Sequence, residues 1–255
     1  KMKKKILNSL IHKPDDYIFN ILEIDNFNKE ISSLRHFYSH IIRYDKKVQG
    51  DIFEFGCYKG RSLLAIALLL KKIKSKKIVY AFDSFKGFPS YADQDNFKKL
   101  NYRKDVFRKH LLSTKIRQHL IKSKINKKNI SSSLDFSFNS KLILEKKIKF
   151  LGLNNIKIIQ GNFQSTVPKF LSTFSKKIFA VNLDCDLYDS YKVVLENIFP
   201  YLIKNTYIHL DEYYSIKFPG AKIAVDEFCK KNNLRVKRNK NFKWEFERYY
   251  LKVWI

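Results

Sequence analysis

Hydrophobic positions along this chain come in two alternating kinds: short apolar runs that stop at an acid or a glycine, and longer stretches with helical spacing. Ile52-Phe53-Glu54-Phe55 reads as a first buried strand, and Lys77 to Asp83 as a second, in which Ile78, Tyr80 and Phe82 alternate. Ile156 to Gln160 is a third, and Ile178 to Leu183 and Tyr207 to Leu210 are a fourth and a fifth. Helical spacing runs from Phe27 to Val48 through Ile31, Leu34, Phe37, Tyr38, Ile41 and Ile42. It returns over Arg61 to Lys74, over Leu142 to Leu151 with Gly152 as C-cap, over Tyr188 to Ile203 and over Ala221 to Lys231. A further helix precedes the fourth strand. Leu234 to Lys237 and Trp244 to Ile255 are β-rich and separated by a polar turn, which predicts an antiparallel hairpin. Residues 1 to about 25 form an arm whose pattern selects no element.

Strands alternating with helices predict an α/β fold around a parallel sheet, with helices on both faces. Five parallel strands closed by a C-terminal antiparallel hairpin is the layout of the class I methyltransferase sheet, a Rossmann-like arrangement. A dinucleotide-binding sheet would be parallel throughout. The expected division is an N-terminal arm and helix over 1–48 and the main domain over 49–255. Within it, residues 93–134 are too long for a tight strand-to-helix connection. They read either as a lid-like insertion or as a lysine-rich surface excursion.

Open α/β sheets bind ligands at the carboxyl ends of their strands, and the polar residues of interest fall there. Glu54-x-Gly56-x-x-x-Gly60 lies between a strand and a helix. Gly56 would admit a ligand close to the backbone, and Gly60 would open a helix whose first amides, near Arg61 and Ser62, bind polar groups. Asp83 ends the second strand, where an acid commonly accepts ribose hydroxyls; the plainer alternative is a solvated acid capping a turn. Asn162 and Phe163 follow the third strand, placed to meet an adenine edge and face, or to form a simple turn. The chain has only 7 glycines, and Gly56, Gly60, Gly87, Gly161 and Gly220 all lie beside these strand ends.

Asp184, Asp211 and Glu212 come from the ends of neighbouring strands and offer three hard oxygen ligands. These suit Mg²⁺, Mn²⁺ or Ca²⁺ better than zinc. A divalent cation would acidify an acceptor hydroxyl, and Asp186, two residues after Asp184, is the natural base to take its proton. The alternative is helix capping and solvated loop acids. His209 alternates within a strand and is expected to be packed.

Charge changes the picture less than its size suggests. The formal net charge is +27, from 51 Lys and Arg against 24 Asp and Glu. Lys far outnumbers Arg and is scattered through every helix, as compositional bias would leave it. Attraction to an acidic acceptor or a peripheral contact with a membrane surface is the functional alternative. Three separate cysteines, Cys57, Cys185 and Cys229, form no CxxC pattern, which suits a reducing, cytoplasmic setting. The basic start has no apolar core of a signal peptide behind it, and no run reaches transmembrane length.

Several segments resemble the macrocin O-methyltransferase family in the family's own order. They are Gly50-Asp51-Ile52-Phe53-Glu54-Phe55-Gly56-Cys57-Tyr58-Lys59-Gly60-Arg61-Ser62, Asp83-Ser84-Phe85-Lys86-Gly87-Phe88-Pro89, and Gly161-Asn162-Phe163 followed by Thr166-Val167-Pro168. Asp184-Cys185-Asp186-Leu187-Tyr188, Asp211-Glu212-Tyr213 and the segment from Phe218 to Phe228 complete the set. The resemblance implies an S-adenosylmethionine-dependent, Mg²⁺-dependent O-methyltransferase acting on a sugar hydroxyl of a natural product or surface glycan. Carried over, Asp184, Asp211 and Glu212 would be metal ligands and Asp186 the general base. Glu54, Gly56, Tyr58, Gly60, Ser62, Asp83, Ser84, Asn162, Phe163 and Asp184 would lie along the cofactor. The acidic pair here is Asp-Glu where the family usually has Asp-Asp, and Phe97 to Ser133 is longer than the family pattern. A homo-oligomer is also expected.

Two rival functions remain at this stage. One is a nucleic-acid or phosphorylated-acceptor methyltransferase, suggested by charge; no base-methylating Asn-Pro loop follows Asp184. The other is a non-catalytic glycan-binding protein, which would have no reason to keep four unscreened acids together.

Overall fold

The computed structural model describes residues 2–12, 16–96, 136–137, 140–213, 215, 217–240 and 248–253. The arm forms α1 (Met2–His12) and α2 (Asp16–Ile21), and α3 (Arg35–Tyr44) leads into β1 (Asp51–Phe55). Then follow α4 (Arg61–Lys72), β2 (Val79–Asp83), a single 3₁₀ turn at Asp93–Asp95, α5 (Lys141–Leu151) and β3 (Ile156–Gln160). The second half holds α6 (Phe163–Leu171), β4 (Ile178–Leu183), α7 (Tyr188–Ile198), β5 (Leu202–Leu210), α8 (Pro219–Lys231), β6 (Val236–Arg238) and β7 (Tyr249–Lys252).

The strands form one seven-stranded sheet in the order β3-β2-β1-β4-β5-β7-β6. β1 to β5 pair in parallel, and β7 is antiparallel to both β5 and β6. The predicted parallel set and antiparallel tail are therefore both present. Most of the expected 93–134 insertion lies outside the described residues, as do residues 241–247, which include the start of the strand expected from Trp244.

Alternation along the strands divides the core in two. Ile52, Val79, Ala81 and Phe179 face α1, α3, α4 and α5, whereas Phe53, Phe55, Phe82, Val181 and Ile208 face α6, α7 and α8. A parallel sheet covered on both faces needs strands that are apolar throughout, and β1, β2 and β4 are buried at every position. Helix α4 is apolar around most of its circumference for a related reason. Leu63 to Leu70 are all buried, because α4 packs against the sheet on one side and α1 on the other. Each such leucine contributes about 1.5–3 kcal/mol relative to exposure. No helix among the described residues is long and apolar enough to cross a membrane.

Several boundaries differ from expectation, among them the start of β5, at Leu202 rather than Tyr207, and three have a visible cause. The helix predicted from Phe27 begins only at Arg35: the Ser32 hydroxyl turns back to Asp25, and Ile31 is 62% exposed. The helix predicted to reach Ile203 stops at Ile198, where Pro200 removes a backbone donor and the chain passes through a 3₁₀ turn into β5. The second strand starts at Val79 rather than Lys77, since the amides of Lys77 and Ile78 go to the Ser75 hydroxyl and the Asp51 carboxylate.

The tightest point in the sheet is the carboxyl end of β1. Gly56 has φ of +87°, and a Cβ there would overlap the carbonyl oxygen of Asp184 at the end of β4. Both backbones are pinned, with the Gly56 amide on Phe82 at 2.9 Å and the Asp184 amide on Phe55 at 3.0 Å. Gly56→Ala combines left-handed strain with a backbone clash, and is expected to destabilise the fold by about 2–4 kcal/mol in urea titration. A loss below about 0.5 kcal/mol would mean that the two strand ends part freely.

Candidate active site

The loop after β1 is held by the acid that ends β2. Asp83 Oδ2 accepts the amides of Cys57 and Tyr58, each at 2.8 Å, and Oδ1 accepts the amide of Phe85 at 2.7 Å. Tyr58 and Phe85 take positive φ, 45° and 52°, so these bonds stabilise a conformation the chain would otherwise avoid. Asp83 thus spends three of its four acceptor sites on shaping the loop. Little of it remains for a ligand.

This loop, its neighbours and the arm enclose a cavity of 410 Å³, within the range of small-molecule sites. Of the residues expected to meet a cofactor, Gly56, Tyr58, Ser62, Asp83, Ser84, Asn162, Phe163 and Asp184 all reach its wall. Asn162 also caps α6, its Oδ1 accepting the Gln164 amide at 2.9 Å, which leaves its amide N–H₂ free for a ligand. Phe163 is fixed edge-on to Phe55 at 5.7 Å. Tyr58, Phe136 and Phe88 meet in sequence, Tyr58 edge-to-face with Phe136 at 5.2 Å and Phe136 tilted against Phe88 at 5.1 Å between ring centres, as an aromatic side wall.

Glu54 and Gly60 stand behind the wall. Gly60 is an opening residue for α4, and a Cβ there would run into Leu144. Glu54 is fully buried; its Oε1 accepts from the Ser62 hydroxyl and from Asn182 Nδ2 at 3.2 Å, while Oε2 has no partner among the described residues. Burial pushes its carboxyl up to about 7, against the lowering effect of Ser62 and Asn182.

At the other end of the cavity the acids gather. Asp184, Asp211 and Glu212 each bring an oxygen within 4.8 Å of the others. Their order in space follows from the sheet: the Asp211 amide bonds the Leu183 carbonyl at 3.1 Å, so β4 and β5 end level. Asp186 lies beside them on a loop with φ of +62° and also lines the cavity. The Tyr191 hydroxyl, 2.7 Å from Glu212 Oε2, fixes that carboxylate from below. Burial, reinforced by the mutual repulsion of these groups, raises the Asp184, Asp186 and Glu212 carboxyls well above the ordinary range. Asp211 differs: burial acts to raise it, but His209 and Arg248 hold it below the ordinary range. Arg248 Nη1 is 2.7 Å from Asp211 Oδ1 and His209 Nε2 is 3.5 Å away. Clustered carboxylates that resist joint ionisation are a donor set short of positive charge, and hard oxygen donors from three residues fit a divalent cation.

Sequence reading missed two contributors. Asp25, Ser33 and Leu34 from the arm and Arg248 beside β7 line the cavity, and neither region carries a motif.

A methyltransferase domain family model matches residues 53–213, well over half of the chain. The chain belongs to this family. Among curated relatives it is 21% identical to the mycinamicin III 3''-O-methyltransferase of Micromonospora griseorubida over 201 residues, covering 78% of this chain and 67% of that protein. It is 24% identical to the demethyldecarbamoylnovobiocin O-methyltransferase of Streptomyces niveus, covering 78% of this chain and 65% of that one. The chain thus spans about two thirds of the length of these relatives. Among solved structures, the calicheamicin methyltransferase CalS11 superposes with a TM-score of 0.63 at 21% identity, over 98% of this chain and 90% of that one. The fold is that of the class I methyltransferases, and the resemblance to O-methyltransferases of the macrocin type stands. This methyltransferase is an enzyme of the O-methyltransferase class.

The raised Glu54 carboxyl has a consequence for stability. Between its unfolded value of 4.5 and about 7 the folded state binds more proton than the unfolded state, so stability falls as pH rises through that window. Relative to Glu54→Gln, the wild type should lose about 3 kcal/mol between roughly pH 4 and pH 8 in urea titrations. Parallel pH profiles for the two proteins would show that Glu54 titrates normally.

Proposed function

We propose that this methyltransferase transfers the methyl group of S-adenosylmethionine to a hydroxyl of a sugar acceptor, in a natural product or a surface glycan, with a divalent cation such as Mg²⁺ held by Asp184, Asp211 and Glu212. The observation that carries this reading is that Asp184 and Asp211, two of the three clustered carboxylates, line the same cavity as the Gly56–Asp83 loop pair, with Glu212 buried beside them. The relatives named above act on natural products, which supports a glycosidic acceptor.

When bound, S-adenosylmethionine supplies an electrophilic methyl group and the cation supplies positive charge that makes an alcohol more acidic. The chain does the rest. Asp83 keeps the β1 loop open for the donor, and Asn162 and Phe163 border the adenosine end. Asp186 accepts the proton of the acceptor hydroxyl, a role suited to a carboxylate whose burial beside Asp211 makes it a stronger base. Tyr191 keeps Glu212 facing its two partners, and Tyr58, Phe88 and Phe136 keep water from the donor. Holding both substrates in one pocket supplies much of the rate through approximation.

Methyl transfer from S-adenosylmethionine to a panel of glycosides and nucleotide-linked sugars, with and without chelator, tests the reading. Turnover should need a divalent cation, and Asp186→Asn should lower kcat by about 10²- to 10⁴-fold while leaving S-adenosylhomocysteine affinity unchanged. Full activity in the presence of chelator would remove the cation from the mechanism.

A further inference from the structure

The cavity has a charged corner that neither the acids at the β4–β5 end nor the residues at the β2–β3 end explain. It is built where the arm folds over the first turn of α4. The Asp25 amide donates to the Arg61 carbonyl at 3.2 Å, locking the arm to that turn. Asp25 Oδ2 is saturated, since it accepts from the Tyr38 hydroxyl at 2.8 Å and from the Ser32 hydroxyl. Among the described residues Oδ1 has only the Arg61 guanidinium, at 3.5 Å. Asp25 is 8% exposed, and both it and Arg61 line the cavity. Lys59, the other basic residue at this end, leans toward Glu23 at 3.7 Å.

A nearly buried carboxylate with one oxygen in only a long contact is costly unless a ligand completes it. A negative and a positive group side by side on a cavity wall match a zwitterion, with each charge meeting its opposite. Resting on the cofactor reading above, we propose that Asp25 and Arg61 form the subsite for the amino-acid tail of the methyl donor, Asp25 taking the α-ammonium and Arg61 the α-carboxylate. The position agrees with the rest of the site: adenosine toward β2 and β3, transferable methyl toward the acids, tail toward the arm. It also gives the arm a function that its sequence does not announce. The arm closes the donor pocket and reads the end of the donor that distinguishes it from a plain nucleoside.

Calorimetry with two ligands tests this, S-adenosylhomocysteine and 5′-methylthioadenosine, the second lacking the amino-acid tail. Asp25→Asn, which can still accept from Tyr38 and Ser32, should weaken S-adenosylhomocysteine by about 10- to 100-fold and leave methylthioadenosine within about twofold. Arg61→Gln, at a side chain 74% exposed and so of little consequence for folding, should show the same selectivity and guards against an unstable first variant. Unchanged affinity for both ligands, or equal loss for both, overturns the subsite. A wild-type protein that binds neither ligand overturns the cofactor reading itself, and the subsite with it.

Discussion

The site depends on one close approach, between the backbone of Gly56 and the carbonyl of Asp184. Adjacent parallel strands keep a fixed spacing, but the loops that leave them normally diverge. Here the absence of a side chain at Gly56 lets the β1 loop cross directly over the end of β4. The loop after β1 and the first acid of the carboxylate cluster are therefore parts of one packed unit. Asp83 extends that unit to β2 by taking the amides of Cys57 and Tyr58. Asp211, bonded through its amide to Leu183, extends it to β5. A reaction between two bound molecules needs this kind of rigidity, because small misplacements of reacting atoms are expensive in rate.

Charge is distributed against the trend of the chain. A protein with net charge +27 surrounds its cavity with Asp25, Asp83, Asp184, Asp186 and Asp211. The general excess of lysine lowers the long-range cost of that concentration but does not neutralise it, since exposed cations are screened over about 10 Å. Neutralisation has to be local. Arg248 provides it for Asp211, and the long Arg61 contact provides a little for Asp25. Asp83 is satisfied by three backbone amides, and on the proposed reading Asp184 and Asp186 would be met by groups that arrive from solution. A sulfonium donor and a divalent cation are both positive, and the pocket is negative where each would bind. The same field that raises the carboxyls of Asp184 and Glu212 in isolation thus favours the loaded state.

The fold was largely legible because its signals are local. Buried strands show as apolar runs, and the acids and glycines that end them mark the rim where ligands bind. The Gly152 cap and the apolar stretch Leu63–Leu70 behave as their sequences suggest. What was not legible depends on partners distant in the chain. Asp83 looks like a ribose acceptor from its position, yet its oxygens are taken by amides more than twenty residues earlier as well as by Phe85. Asn162, read as placed for an adenine edge or a simple turn, also caps a helix through its Oδ1. The helix read from Phe27 fails in its first turns because Ser32 serves Asp25, a contact that periodicity cannot encode. Glu54 and Gly60 belong to the motif by spacing, but one supports Ser62 from below and the other makes room for Leu144.

The order of the strands explains why residues so far apart could be read as one site at all. After β1 the chain turns to one side to lay down β2 and β3, then returns across β1 to place β4 and β5 on its other flank. The connections leaving β1 and β4 therefore depart in opposite directions, and a crevice opens between them at the carboxyl edge. Asp83 and Asn162 fall on one bank and Asp184 with Asp211 on the other. The arm, arriving before β1, has only the end of that crevice left to cover, and it does so through Asp25 and Leu34. On the proposed reading a donor lying along the crevice would span both banks, its nucleoside toward β2 and β3 and its reactive end toward β4 and β5. The split in the sequence between nucleotide-type and metal-type motifs is thus the linear image of one topological reversal.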